Sequence, residues 1–568
     1  MFESSRDRVD IRSDIFWLAV AALVLVATGL GFRDPWPADE PRFALVARDM
    51  VLNGDWLFPR VGGDLYHDKP PLFFWLLATG YFLTGSVRAS FLIPSFLAAC
   101  GTLVLVYDLA RRLASREAAL AAAALLACTI QFLMVMRGAQ IDATLCFLTT
   151  LSLYGLLRHL LLGPAWNWYF VGGLAAGLGV ITKGVGFLPL LVLLPYPLLR
   201  AKGFQPLPRF NGGGRWALVA VGFLLGVAVW LVPMLLAVSR HPTPELIAYR
   251  DGILFQQTVQ RYASAWHHVQ PWYYFLIEVI PALWLPASLL LFWLLPRWKA
   301  ALRERAASIW LPLAWALLTI LFFSASTGKR GIYIFPALPA FIWAAAPYLP
   351  ELLRRRGVRV ASLVLAAVLI AGAAAFIALD LSGNNGVAKQ LAELGFDPKV
   401  PVGLFVAVAT VVWLLAWRRQ PLLAWPGVLA CLAIVWSYGI TPKIDAQRSG
   451  RAFITQALEH VSRGRELGLA GAKEQFFLYL DRPVVNFGHA RWTEKQREAE
   501  DAARWLNGAP GRVLLMPQSL LELCFTRSPQ RPVGESSREK WSLVELPADP
   551  ECASRGDPNH VIRYIAGS

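Results

Sequence analysis

The sequence predicts an α-helical, multi-pass membrane protein that carries a polar C-terminal α/β domain. The chain of 568 residues is 56% hydrophobic and only 16% charged, with a positive mean hydropathy, too apolar for an ordinary soluble globule. Apolar stretches close to the spanning length of about 20 residues recur from Ile15 to about Ile440, with short polar breaks between them. From about Thr441 to Ser568 the composition turns polar, so a water-facing domain follows the spans.

The apolar segments lie near 14–32, 71–86, 89–111, 117–136, 139–160, 167–183, 185–200, 216–238, 273–296, 308–325, 331–348, 359–380, 400–417 and 421–440. The first is long and lacks a small-residue cleavage site before Asp34, so it reads as a retained helix. Basic clusters then orient the chain. They comprise Arg6, Arg8 and Arg12; Arg111, Arg112 and Arg116; Arg200, Lys202, Arg209 and Arg215; Arg297, Lys299, Arg303 and Arg305; Arg354 to Arg356; and Arg418 with Arg419. The positive-inside rule puts all of them on the cytoplasmic side only if Pro71 to Ser86, which follows two prolines and contains Gly80 and Gly85, does not cross. That segment is read as an interfacial helix on the outer face. About thirteen spans remain, so residues 1–440 form the membrane domain, with the N-terminus inside and outer loops at 33–70 and 239–272. The domain 441–568 then lies outside. With the basic residues spread over short loops, the net charge of +16 marks topology, not a nucleic-acid face.

Nine cations break the bias: Arg42, Lys69, Arg88, Arg137, Lys183, Arg250, Arg261, Lys329 and Arg330 fall at or near the outer ends of helices. Each alone could snorkel to headgroups, but together on one side they point to an anionic ligand, and phosphate matches a Lys point charge or an Arg fork.

In the first outer loop Phe43, Val46, Ala47, Met50 and Val51 recur at helical spacing, which predicts a surface helix over about Glu40 to Leu52. Asp39 stands at its start. The bland reading is a helix cap; the sharper one is a carboxylate held beside Glu40 and Arg42 where a lipid headgroup arrives. Tyr66, His67, Asp68 and Lys69 precede Pro70 and Pro71 and complete a polar surface site. Asp39, Glu40, His67, Asp68 and His268 offer donors to a divalent metal, with His67 and His268 the candidate ligands, but no compact ligand spacing supports one. His267 to Tyr274 reads as an aromatic belt that also walls the site.

In the tail, Ala446 to Arg463 has a helical pattern, Leu467 to Ala472 and Arg512 to Met516 read as strands, and Thr493 to Asn507 as a charged helix. The alternation predicts a small α/β domain that supports or covers the site. Cys100, Cys128, Cys146 and Cys431 lie in apolar spans as packing residues. Cys524 and Cys552 lie in the tail, where an outside location permits a disulfide.

The DEPR at Asp39 to Arg42, GDW at Gly54 to Trp56 and HDKPP at His67 to Pro71 resemble the first outer loop of the bacterial aminoarabinose lipid A transferases. These sit with the protein O-mannosyltransferases among membrane glycosyltransferases that use polyprenyl-phosphate sugars. RGAQID at Arg137 to Asp142, TKG at Thr182 to Gly184, HHVQPWYY at His267 to Tyr274 and GKRGIYIFPALPA at Gly328 to Ala340 extend the resemblance over most of the membrane part. The double proline after Lys69 departs from the single proline common in that family.

The resemblance implies a GT-C-like fold, an undecaprenyl-phosphate-linked aminoarabinose donor, a lipid A phosphate acceptor and an active site on the periplasmic face of a bacterial inner membrane. It places Asp39, Glu40 and Lys69 in catalysis, and Arg42, Tyr66, Asp68, Arg137, Asp142, Lys183, Lys329, Arg330 and Tyr333 against substrate. Transfer of another carrier-linked sugar, such as mannose, to protein or glycan is the second reading. A lipid transporter is the third, disfavoured because neither internal repeats nor a run of ionisable residues inside spans is evident.

Overall fold

The computed structural model describes residues 5–208, 210–254, 268–386, 389, 391, 396–488 and 494–565. Arg209, Arg261, His267 and Thr493, named above, lie outside these residues. Every apolar segment is helical. Among the described residues eight helices are long and apolar enough to cross a bilayer, and up to ten if each of two bent pairs makes one span. The other predicted crossings are helical but charged, short or broken. Ser5–Ala22 runs into a π-turn at Leu23–Ala27, Trp166–Val180 has 15 residues, and the segment from Gly331 is divided into Gly331–Ile334, Ala337–Ala345 and Ala346–Tyr348.

The two bent pairs explain each other. Arg116–Ala127 meets Ile130–Met136 at 63°, and Phe275–Leu283 meets Ala287–Arg303 at 110°. Backbone groups released at a bend have no water to bond to at membrane depth, so protein must satisfy them. Here one break satisfies the other: the Ile130 N–H donates to the Leu285 carbonyl at 2.9 Å, and the Trp284 indole donates to Gln131 Oε1 at 2.7 Å. Elsewhere small residues admit close backbone contact; a Cβ on Gly173 would lie 2.0 Å from the Val219 oxygen, so only glycine lets Trp166–Val180 pack on Leu218–Arg240.

Leu72–Thr84 is a helix of 13 residues, about 20 Å long and too short to span. Before it, β1 (Arg60–Val61) and β2 (Asp64–Leu65) form a small antiparallel hairpin. The hairpin turns on Gly62 and Gly63 at φ 60° and 99°.

The C-terminal domain holds a six-stranded sheet built from β3 (Leu467–Leu469), β4 (Val484–Asn486), β5 (Val513–Pro517), β6 (Gln530–Ser536), β7 (Glu539–Val544) and β8 (Ile562–Tyr564), in the order β6-β7-β5-β3-β4-β8. β3, β4 and β5 run parallel; β7 and β8 flank them antiparallel. The predicted helix over 446–463 is two, Thr441–Arg448 and Arg451–Glu459, separated at Ser449 and Gly450. Cys524 and Cys552 are disulfide-bonded, with Cα atoms 5.8 Å apart, joining Gln518–Cys524 to Pro550–Arg555.

Alternation along the strands gives the sheet two apolar faces. Leu514 and Met516 pack with Ala499, Ala503 and Leu506 of Lys495–Asn507. Val513 and Leu515 face the opposite way, into one continuous core with Phe43, Val46 and Met50 of the surface helix and Phe73, Phe74 and Leu77 of the interfacial helix. The polar domain is therefore packed onto the first outer loop through an apolar core.

Candidate active site at the first outer loop

The surface helix runs over Glu40–Asn53, with Pro41 in its first turn and Gly54 closing it at φ 71°. Asp39 occupies the cap position, yet its side chain makes no capping hydrogen bond. The bland reading therefore fails. The carboxylate remains about 30% exposed, 4.0 Å from Arg42 Nη1 one turn along the helix.

Glu40, expected beside it in catalysis, is committed elsewhere. It is buried and accepts hydrogen bonds from Arg33 Nη1 and Nη2, from the Trp36 N–H at 2.9 Å and from the Ala139 N–H at 3.0 Å. A carboxylate with four donors in a buried site has no lone pair left for substrate. Its geometry is that of a bracket between the 33–36 segment and the RGAQ turn.

Arg42 is held by two groups and lies near a third. Its Nε donates to Glu474 Oε1 at 2.7 Å, it hydrogen-bonds the Tyr66 hydroxyl, and Asp39 lies at its far side. Burial opposes the Arg42 charge, but Glu474 and Tyr66 outweigh it and keep the guanidinium firmly protonated. Burial, followed by the nearby Asp68 charge, raises the Tyr66 phenol above its ordinary value. Asp39, Arg42, Tyr66 and Asp68 are thus brought together, with Glu474 as a fifth member. Glu474 lies in a tail without a recognisable motif, and nothing local marks it; only the tertiary fold does.

Lys69 is half-buried and engaged in a polar contact, immediately before the helix Leu72–Thr84. The Leu72 N–H donates to the Ile181 carbonyl at 3.1 Å, which ties this end of the loop to the TKG turn. There a second cluster forms: Lys183 Nζ lies 2.7 Å from Asp142 Oδ1 and 5.0 Å over the Tyr333 ring, in a pocket also lined by Trp315 and Phe323. Asp142 sits in the first turn of Ile141–Leu162, where a negative charge is favoured by the helix dipole.

Other predicted substrate contacts are occupied by the protein itself. Arg137 donates to the carbonyls of Leu25 at 2.6 Å and Thr28 at 3.2 Å and to Ser437 Oγ at 2.7 Å, so it ties the first helix to the last span. Lys329 is buried, donating to the carbonyls of Gln270, at 2.8 Å, and Ser326; burial lowers its ammonium below the ordinary lysine value. Arg88 and Arg250 are likewise paired, with Asp445 at 3.6 Å and Asp251 at 2.8 Å. Arg330 is exposed. Most of these cations are thus engaged by the protein's own carboxylates, carbonyls and hydroxyls, which sequence position cannot reveal. His67 packs against Gly252, and His268 is exposed at φ 62°. Among the described residues no three His, Cys, Asp or Glu side chains converge to hold a metal.

Known proteins resemble this chain in sequence and in fold. A family model for dolichyl-phosphate-mannose-protein mannosyltransferases matches residues 68–232. The undecaprenyl phosphate-alpha-4-amino-4-deoxy-L-arabinose arabinosyl transferase of Pseudomonas savastanoi pv. phaseolicola is 31% identical over 378 residues, 64% of this chain and 67% of that protein. The chain belongs to this arabinosyl transferase family. Within the family, the Pseudomonas aeruginosa enzyme aligns over 85% of this chain and 90% of its own length at 28% identity. The fold agrees: the crystal structure of ArnT from Cupriavidus metallidurans bound to undecaprenyl phosphate superposes with a TM-score of 0.72, at 21% identity, covering 93% of this chain and 97% of that one. The Archaeoglobus fulgidus oligosaccharyltransferase shares the architecture more distantly, at a TM-score of 0.52 and 12% identity over 91% of this chain and 70% of that one. The helical membrane domain with its C-terminal sheet is therefore a transferase fold of the GT-C type, as the motifs of the first loop imply.

Proposed function

We propose that the chain transfers 4-amino-4-deoxy-L-arabinose from undecaprenyl phosphate to a phosphate of lipid A at the periplasmic face of the inner membrane. Membership of the arabinosyl transferase family names the donor, and the uncapped, part-exposed Asp39 carboxylate is the observation that carries the site. The disulfide between Cys524 and Cys552 supports placing the C-terminal domain in an oxidising compartment, outside the cytoplasm.

In the reaction a lipid A phosphate oxygen attacks the anomeric carbon, the bond from that carbon to the carrier phosphate breaks, and its electron pair leaves on undecaprenyl phosphate. The acceptor is already an anion near neutral pH, so strong general-base catalysis is not required. Asp39 stabilises the positive charge that develops at the anomeric centre or meets the ammonium of the sugar. Lys69 and Arg330 are the cations proposed for the departing phosphate, with Tyr66, Asp68 and Arg42 shaping the loop side of the site. Asp142, Lys183 and Tyr333 form the membrane-side wall, from which Lys183 also offers its charge to the carrier phosphate. Glu40, Arg137 and Lys329 hold this frame instead of meeting substrate.

Transfer to protein is the competing reading, favoured by the mannosyltransferase family match over 68–232. Mass spectrometry of lipid A decides between them, in a strain that makes the donor but lacks its own transferase. Gain of one aminoarabinose with the intact chain, and none with Asp39→Asn, is expected. Lipid A unchanged while the chain is present in the membrane would overturn the proposal.

A further inference from the structure

Asp39 and Arg42 lie three residues apart on one helix, the spacing at which opposite charges pair. They are nevertheless 4.0 Å apart, because Arg42 turns its Nε to Glu474 at 2.7 Å. Glu474 begins the short helix Glu474–Phe477 of the C-terminal domain, and that segment is fixed twice more. Phe477 and Leu478 present carbonyls to Arg48 of the surface helix, at 3.0 and 2.9 Å, and Gln475 donates to Ser537 Oγ at 2.9 Å. The position of Glu474 is therefore set by the docking of one domain on the other.

We propose that Glu474 is a positioning residue that holds Arg42 away from Asp39, so that the C-terminal domain keeps the Asp39 carboxylate available for the sugar. The inference rests on the transferase reading of the site. A guanidinium that closed on Asp39 would neutralise the charge that the developing cation or the ammonium needs. Asp39 is a second carboxylate within ion-pair distance of Arg42, so loss of Glu474 releases Arg42 toward it. Removing a negative charge from the site thereby silences a second one.

The test is a double-mutant cycle on the purified full chain, with undecaprenyl-phosphate aminoarabinose and lipid A as substrates. Glu474→Gln is expected to lower kcat about tenfold with a change in donor KM of less than about threefold, the pattern of a lost transition-state interaction. Glu474→Asp should recover part of the rate. In an Arg42→Gln background, Glu474→Gln should cost less than about twofold, because no guanidinium remains to be restrained. Equal losses in both backgrounds would overturn the proposal, since a purely structural Glu474 acts independently of Arg42. So would an unchanged or increased rate in Glu474→Gln, the second of which marks Glu474 as a shield that substrate phosphate displaces. Absence of transfer by the parent chain would refute the transferase reading itself. If Glu474→Gln does not fold, Glu474→Asp read in the two Arg42 backgrounds gives the same comparison.

Discussion

Tyr564 donates a hydrogen bond of 2.8 Å to Asp49 Oδ1 across 515 residues of sequence, joining the last strand of the C-terminal domain to the surface helix of the first loop. Arg48 completes the contact: it donates to the Tyr564 hydroxyl and to the Phe477 and Leu478 carbonyls. Alongside, the hairpin turn at Gly62 is clasped by Asn486, whose Nδ2 donates to the Gly62 carbonyl at 2.8 Å. A Cβ on Gly62 would press on Phe477 at 3.2 Å, and one on Gly63 on Ile562 at 2.7 Å. A buried polar cluster inside an apolar seam thus sets how the domain sits over the site.

That cluster predicts a pH dependence. Burial pushes the Asp49 carboxyl up to about 6, outweighing Arg48 and Tyr564, which act to lower it. The folded value is raised above the unfolded one near 4, so the folded state binds the proton more tightly. Stability from Asp49 is fully present below about pH 4 and is lost as pH rises through about 6, by up to about 2 to 3 kcal/mol. Thermal unfolding of the C-terminal domain in the full chain should therefore occur at a lower temperature at pH 7.5 than at pH 5. Asp49→Asn should flatten that difference; an unaltered slope would remove Asp49 as its source.

Asp39 and Glu40 adjoin in sequence but should respond oppositely. Asp39→Asn alters a part-exposed carboxylate with no cap to lose, so transfer should fall by more than about a hundredfold while thermal stability stays within about 0.5 kcal/mol. Glu40→Gln breaks a buried pair with Arg33 and should destabilise by about 3 kcal/mol, with activity falling in step with the folded fraction. Paired unfolding and turnover measurements separate the two, and a stable but inactive Glu40→Gln would return Glu40 to the chemistry.

These neighbours mark where sequence stops being informative. Helices follow from bilayer thickness and chain hydropathy, and Leu72–Thr84 was separable from the spans because its length and prolines are local properties. A charge at a helix end is also visible, but its partner is not. Arg137 and Lys329 lie near helix ends, yet they serve backbone carbonyls freed at helix ends and breaks. Glu474 and Arg48 act through contacts more than 400 residues distant, which no periodicity encodes. The Gly62–Gly63 turn did carry a signal, since paired glycines between short strands favour a hairpin.

The disulfide supplies a test of sidedness. Opening a loop of 28 residues by Cys552→Ser should cost the C-terminal domain about 3 to 4 kcal/mol in the chain-entropy account. In intact cells the freed Cys524 thiol should react with a membrane-impermeant maleimide only after the domain is unfolded, since Cys524 is buried. Labelling that requires permeabilised inner membranes even then would place the domain in the cytoplasm and invert the proposed orientation.

Asp142 and Lys183 raise the question of whether a part-buried ion pair holds the wall or meets substrate. Lys183→Met strands Asp142, which is 8% exposed, and should destabilise by about 3 kcal/mol because the charge left behind has no partner. Asp142→Asn combined with Lys183→Met removes both charges and should recover most of that stability, as apolar replacement of a buried pair often does. A purely structural pair would then recover transfer as well. The cation over Tyr333 lining the pocket argues otherwise: the double variant should fold like the parent yet keep a donor KM raised at least about tenfold, because restored packing does not restore a charge for the carrier phosphate. Recovery of both stability and donor KM would reduce Lys183 to a structural counter-ion and leave phosphate recognition to Lys69 and Arg330.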